Sequence, residues 1–365
     1  MALALSLGAR GLGRVWPNPA VGCVVVRDGR IVGRGATAPG GRPHAERLAL
    51  DAAGKDARGA TAYVSLEPCA HHGATPPCAD ALVAAGVARV VTPLDDVDPR
   101  VFGEGHARLR QAGIEVTTGV LADRARQVHR GFFLRVGETR PMLTLKLASS
   151  FDGRIATATG ESRWITGPAA RRLVHAERAR HDAVLVGGGT ARADDPVLTV
   201  RGAGIARQPV RVVVSRHLNL PAESRLVASV TEGPVWFVHD RAPGAVPDAE
   251  AAAWTDRGVT LVPAEAGAGR QLDPHGILRA LGSCGLTRVF CEGGGALAAS
   301  FLQAGLVDEL VGFTAGLALG AEGRPCLGAL GIEALADAPR FRLVETRAVG
   351  GDVMHRWRRV SAGTR

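Results

Sequence analysis

Pro43-His44-Ala45-Glu46, Glu67-Pro68-Cys69 and Pro76-Pro77-Cys78 decide how the first third of this chain is read. One imidazole and two thiolates make the donor set of a catalytic zinc site, which takes three protein ligands and keeps a fourth position open for water. His44, Cys69 and Cys78 are therefore read as the ligands of a single Zn2+. Two thiolates offset the double charge of the ion, and helix N-termini following the motifs help keep the sulfurs deprotonated. A zinc ion in such a site brings the pKa of a water molecule towards neutrality. Residues two apart on a regular helix point to opposite sides, so His44 is expected at the very start of a helix. From there Glu46 faces the water and moves protons, first off the water, then onto a ring nitrogen and finally onto departing ammonia. Zinc deaminases divide the work in this way, the glutamate acting as acid and base and not as a ligand. A His-x-Glu alone is common. Joined to two proline-preceded cysteines at strand-to-helix junctions, it is far more specific. Eight residues separate the cysteines, against two in nucleic-acid-editing deaminases.

Around these motifs, short strands alternate with helices. Ala20–Gly35 holds two β-branched runs around Asp28-Gly29, a hairpin signal. A helix is expected from His44 to about Ala53, then a strand over Thr61–Leu66 and a helix from Cys78. A strand over Ala88–Leu94, a helix over Glu104–Ala112 and a strand over Ile114–Gly119 follow. This alternation predicts a three-layer α/β sandwich. Gly131–Pro141 reads as a boundary, which places one domain at 1–140 and a second at 141–362. In the second, strands are expected at Met142–Ala148, Ala183–Val186, Val210–Val214, Val235–Val238, Thr260–Val262 and Arg288–Cys291. Helices are expected at Pro168–Arg180, Pro274–Ser283 and Ala296–Ala304, and two further strands over Arg340–Val360.

A chain of 365 residues suits two domains. The apolar start MALALSLGAR has no preceding basic residue and is too short for a signal peptide, and nothing approaches a membrane span. A cytoplasmic protein that meets no membrane is expected. The net charge of +9 invites a nucleic-acid reading, but of 44 basic residues only Lys55 and Lys146 are lysine, and the arginines are scattered. No nucleic-acid partner is expected; an Arg-biased composition or a phosphate-bearing substrate accounts for the charge. Cys23, Cys284, Cys291 and Cys326 stand singly and read as core residues.

Longer segments name a family. PNPAVGCVVV (Pro17 to Val26), PHAE and EPCAHHGATPPC (Glu67 to Cys78) resemble the deaminase half of the bifunctional riboflavin-biosynthesis deaminase/reductases. LKLASSFDGRIA (Leu145 to Ala156), SRWITG (Ser162 to Gly167), DDPVLTVR ending at Arg201, and CEGGGALAASFL (Cys291 to Leu302) are similar to the reductase half, in the same order and over nearly the whole chain. The resemblance implies an α/β protein with an N-terminal cytidine-deaminase-like αβα sandwich and a C-terminal dihydrofolate-reductase-like α/β domain. It implies deamination of a diaminopyrimidinone carrying phosphoribosylamine, a small phosphorylated pyrimidine. NADPH-dependent reduction of the ribosyl group to ribityl follows, and a homo-oligomer is expected. It places Ala148, Trp164, Thr190, Asp194 and the loop Gly294, Gly295, Ala296, Leu297, Ala298, Ala299 and Ser300 at NADPH. It places Ser162, Arg178, Leu198, Arg201 and Glu292 at the reductase substrate, and Asn18 at the base in the deaminase.

Residue chemistry adds to this. Gly293-Gly294-Gly295, between a strand and a helix, lets bare backbone amides approach a phosphate. Lys146, one of two lysines and set inside a hydrophobic strand, is expected as a catalytic cation near the sugar carbon that receives hydride. Arg216, just past a strand, is a candidate partner for a 2′-phosphate.

The chain departs from the family's pattern at Thr37, usually histidine, at Ala74, usually basic, and at Asp98, usually asparagine. An altered deaminase pocket, with Arg42 as a substitute cation or a preference for a non-phosphorylated substrate, is the alternative within this reading. A nucleoside or RNA-base deaminase with an unrelated appendage, and a nucleic-acid binder with structural zinc, are the rivals outside it. The long cysteine spacing opposes the first; a three-ligand site opposes the second, because structural zinc takes four.

Overall fold

The computed structural model describes residues 1–71, 76–202, 204–205, 207–267 and 271–360. The chain divides into two compact units, Met1–Thr139 and Arg140–Arg365.

Unit 1 holds helix α1 (Ala2–Ala9), strands β1 (Gly22–Arg27) and β2 (Arg30–Ala36), α2 (Ala45–Ala53), β3 (Thr61–Val64), α3 (Cys78–Ala84), β4 (Arg89–Val91), α4 (Glu104–Gln111), β5 (Glu115–Thr117) and α5 (Ala122–Glu138). The sheet order is β2-β1-β3-β4-β5, antiparallel across β2-β1-β3 and parallel from β3 to β5. Asp28 and Gly29 both take positive φ, the conformation of a two-residue turn whose twist suits a hairpin. The register fixes which helix covers which face. A Cβ on Gly22 would lie 2.0 Å from the Ala4 carbonyl of α1, and one on Gly35 would lie 2.1 Å from the Ala45 carbonyl of α2. Gly35 pairs with Cys23, the neighbour of Gly22. Successive residues face opposite sides of a strand, so α1 and α2 cover opposite faces of the sheet. The core between sheet and helices includes Val25, Val64, Leu82, Val90 and Leu109. Leu82 is fully buried, and truncating such a leucine to alanine costs about 2–5 kcal/mol.

Unit 2 contains β6 (Met142–Ser150), β7 (Arg154–Ala156), α6 (Pro168–Arg178), β8 (Ala183–Gly187), α7 (Gly188–Asp194), β9 (Val210–Val214), α8 (Arg225–Ala228), β10 (Val235–Asp240), α9 (Asp248–Asp256), β11 (Thr260–Ala264), α10 (Pro274–Ser283), β12 (Arg288–Cys291), α11 (Gly295–Gln303), β13 (Glu309–Ala315), β14 (Arg324–Pro325), β15 (Phe341–Val349) and β16 (Asp352–Arg359). Among the described residues nine strands form one sheet in the order β11-β10-β9-β8-β12-β6-β13-β16-β15. It is parallel from β11 to β13, and β16 and β15 close it antiparallel. The parallel strands β8, β9 and β12 are buried almost throughout, as strands covered on both faces must be. Asp273 caps α10 by accepting from the His275 and Gly276 amides, and Pro274 opens that helix.

The division between the units falls at 139/140, inside Gly131–Pro141, and α5 runs through most of that segment. The opening apolar stretch forms α1, whose Ala4 and Leu5 are fully buried. One expectation needs correction: Cys284 is exposed and Cys326 half-buried, so of the four cysteines read as core only Cys23 and Cys291 are buried. Cys284 follows the last turn of α10, where the chain reaches the surface.

Candidate active sites

His44 is the N-cap of α2, in extended conformation, and Glu46 lies in the first turn. Cys78 opens α3, and Cys69 lies in the connection from β3. His44 Nδ1 stands 3.3 Å from Cys78 Sγ and 3.6 Å from Cys69 Sγ, and the Cys78 amide donates to Cys69 Sγ at 3.3 Å. The three ligand atoms lie within 4.8 Å of one another. One imidazole and two thiols so placed fit zinc and leave one tetrahedral position open.

The hydrogen bond from Cys78, with others from His44 and the Cys78 amide, holds the Cys69 thiol down to about 4, while the shared proton and burial push Cys78 up. Glu46 is buried, and desolvation, reinforced by Cys69, raises its carboxyl to about 7. His44, Glu46 and Cys69 line a cavity of about 280 Å³, with Asn18, Asp96 and Arg100 also on its walls. Asn18 Nδ2 donates to the Gly41 carbonyl at 3.2 Å.

Two of the three departures are explained by their contacts. Thr37 lines the cavity, but its hydroxyl accepts from the Val21 amide at 3.0 Å and so ties down the loop before β1. Asp98 is gripped by Arg100, Nε to Oδ1 at 2.9 Å and Nη2 to Oδ2 at 2.5 Å. That guanidinium holds the carboxyl below its usual range. Ala74 lies outside the described residues. Arg100 and Arg135, from the β4–α4 loop and from α5, were not anticipated; no spacing in the sequence brings them to the cavity.

In unit 2, two adjoining lobes of about 710 and 610 Å³ meet at Lys146, Ala148, Ser162, Thr190, Asp194 and Glu292. The first continues over Gly187–Gly189 and the N-terminus of α11, through Gly294, Gly295, Ala296, Leu297 and Ser300. The Gly294 amide donates to Thr190 Oγ1 at 3.0 Å, joining the two glycine runs. A Cβ on Gly189 would meet no atom within 4 Å. Bare glycine backbone beside a helix N-terminus fits the pyrophosphate of a dinucleotide. The second lobe is lined by Trp164, Arg178, Leu198 and Arg201. Arg171 stacks 4.3 Å from the exposed Trp164 ring.

Three expected cofactor contacts are not at these lobes. Ala298 and Ala299 are buried on the inner face of α11. Arg216 donates to Asp240 at 2.9 Å and lines neither lobe. Helix periodicity explains the first two, since only one side of α11 reaches the lobe.

Fold and sites together define a zinc-binding deaminase unit joined in one chain to a reductase unit. Residues 1–93 match the cytidine and deoxycytidylate deaminase zinc-binding region, and residues 141–355 match the RibD C-terminal domain. The riboflavin biosynthesis protein RibD of Escherichia coli K12 is 44% identical over 97% of this chain and 96% of its own, and that of Haemophilus influenzae 40% identical over 97% and 95%. Acinetobacter baumannii RibD, form 1, superposes with a TM-score of 0.87 at 38% identity, covering 99% of this chain and 98% of its own. A Thermotoga maritima diaminohydroxyphosphoribosylaminopyrimidine deaminase/5-amino-6-(5-phosphoribosylamino)uracil reductase gives 0.85 at 34%, covering 99% and 97%. The chain belongs to the RibD family: it is a bifunctional deaminase and reductase of riboflavin biosynthesis.

Proposed function

We propose that unit 1 deaminates 2,5-diamino-6-(5-phosphoribosylamino)pyrimidin-4(3H)-one and that unit 2 reduces the ribosyl group of the product to ribityl with NADPH. The clustering of His44, Cys69 and Cys78, with His44, Cys69 and Glu46 lining one cavity, is the observation that carries this reading. His44, Cys69 and Cys78 hold the zinc; when bound, it supplies the Lewis acidity that makes a water nucleophilic near neutral pH. Glu46 takes a proton from that water and passes it to a ring nitrogen. It then takes the proton of the newly added hydroxyl to the departing amine, so that as the C–N bond breaks a carbonyl forms and ammonia leaves. Burial supports this role, since it raises the Glu46 carboxyl to about 7, where it both accepts and donates at physiological pH. Asn18 orients the base, and Arg42, Arg100 and Arg135 give the cavity the cations a phosphate requires.

In unit 2, NADPH supplies hydride when bound, and the glycine-lined lobe holds its phosphates through the α11 amides. Lys146 stabilises the opened, imine-like sugar and delivers the proton. Arg178, Glu292, Ser162, Leu198 and Arg201 position the substrate in the second lobe. A reducing, cytoplasmic setting accords with six free cysteines. Among the described residues no helix is long and apolar enough to cross a membrane. The edge strand β15 exposes Leu343 and Val344, which supports association into a homo-oligomer.

The test uses two variants of the full chain. Glu46→Gln should keep its zinc, lose ammonia release and still reduce supplied deaminated intermediate. Lys146→Ala should show the reverse pattern. Loss of both activities from either change would contradict two separate sites.

A further inference from the structure

The side chain of Glu67 is fully buried, two residues before Cys69, and it lies along the same cavity as Glu46, His44 and Cys69. Its Oε2 accepts from the Asp96 amide at 2.9 Å and the Gly103 amide at 3.0 Å, and its Oε1 accepts from the His106 amide at 3.1 Å. All three donors come from the loop after β4 and the first turn of α4. Backbone packs against the same corner: a Cβ on Gly105 would lie 2.0 Å from the Pro68 carbonyl. The His106 ring extends the join, one nitrogen 2.9 Å from Asp95 Oδ1 and the other 2.9 Å from Thr92 Oγ1. Asp96 passes it on, its Oδ1 accepting the Asp98 amide at 2.9 Å.

The loop so held carries Asp96, Asp98, Arg100 and Val101, one wall of the deaminase cavity. His44 and Glu46, at the start of α2, and Cys69, in the connection after β3, line the same cavity. We infer that Glu67 is a positioning residue of the deaminase, which fixes the substrate-facing loop 95–103 against the segment carrying Cys69. A buried carboxylate suits this task, because it can accept several amides at once and a loose loop offers no comparable acceptor away from water.

Glu67, Asp95 and His106 also place ligand atoms within 4.8 Å of one another. The hydrogen bonds assign them to the loop and not to a second metal: both Glu67 oxygens and both His106 nitrogens are already engaged.

This inference rests on the proposed deaminase site, so wild-type ammonia release from the diaminopyrimidinone ribotide is measured first; its absence would sink that site assignment whatever the variants do. Glu67→Gln then removes part of the acceptor set, and Gly105→Ala disturbs the same corner from the α4 side. Both are assayed in the full chain for KM, kcat, zinc content and reduction of supplied intermediate. Each should raise the deaminase KM about tenfold, the effect of losing a hydrogen bond to a charged group. Zinc content, reductase rate and kcat should stay near wild type. A general loss of fold would lower kcat per chain at unchanged KM. An unchanged KM in both variants overturns the proposal, as does loss of zinc from Glu67→Gln. A second metal equivalent in the wild type that Glu67→Gln removes also overturns it. Should both variants lose both activities, Asp95→Asn loosens only the His106 corner. A raised KM there supports the proposal, and an unchanged KM overturns it.

Discussion

Lys146 Nζ lies 3.9 Å from Glu292 Oε2, while Arg178 holds the same carboxylate by two bonds, Nε to Oε1 at 2.5 Å and Nη2 to Oε2 at 3.0 Å. One acid thus joins the proposed proton donor to a fixed cation at the junction of the two lobes. Burial lowers the Lys146 ammonium from its ordinary range, Glu292 opposes that shift, and Arg178 adds to it.

A pH dependence follows from those signs. Lys146 is charged below its pKa, so reduction should fail as pH rises through a value below the usual lysine range. Glu292→Gln removes the group that keeps Lys146 charged and should move this basic limb to lower pH. Lys146→Arg, which stays charged, should lower kcat and abolish the limb. Profiles of reductase kcat between pH 6 and pH 10, roughly the span around a lysine depressed from 10.4, check this. A basic limb at the same pH in wild type and Glu292→Gln would refute it.

The Asp98–Arg100 pair governs a second prediction. Asp98 is mostly buried and Arg100 is exposed. Without its arginine, Asp98 would present an uncompensated negative charge to a phosphorylated substrate. Arg100→Ala should raise the deaminase KM for the ribotide about three- to tenfold, a range set by the exposure of Arg100. The dephosphorylated substrate should be affected less. Equal changes for both substrates would show that the pair does not act on the phosphate.

Stability should depend on pH through His129 on α5. It is buried, donates to the Ser65 carbonyl at 2.9 Å, and desolvation lowers it to about 4. The unfolded histidine titrates near 6.5, so between these values the unfolded state binds more protons and stability rises with pH. The contribution is complete above the unfolded value and falls by about 3 kcal/mol as pH drops towards 4. Asp96, which burial raises to about 6, acts in the opposite sense. His129→Gln isolates the histidine: denaturant unfolding at several pH values should show a smaller loss of stability in acid than wild type. An identical pH slope would contradict the assignment.

How much of this could be read beforehand depends on the range of the interactions. The β1–β2 hairpin and α10 announce themselves locally, through Asp28-Gly29 and through Asp273-Pro274. Helix α1 does not, because ALALSLGA is apolar or small on every side and shows no amphipathic period. Helix α5 was hidden by Phe132-Phe133-Leu134, three adjacent apolar residues that mark no single face. The three proposed zinc ligands come from distant segments, yet residue type and proline context pick them out. Arg100 and Arg135 carry no such mark, and Glu67, though it stands in the Glu67-Pro68-Cys69 motif, shows nothing there of the amides it accepts. Their places depend on which amides and walls the finished fold brings to them.

The central claim is that one chain carries out a zinc-dependent deamination and then a reduction, each in its own unit. Its most direct test is to incubate the purified protein with the diaminopyrimidinone ribotide, with and without NADPH, and to follow the products by mass. Without NADPH, wild type should release ammonia and accumulate the deaminated ribosyl compound; with NADPH, the ribityl compound should appear and NADPH should be oxidised. Glu46→Gln should leave the starting ribotide unchanged in both cases. Deaminated product from Glu46→Gln at the wild-type rate, or a ribityl product that still carries the original amino group, would contradict the account.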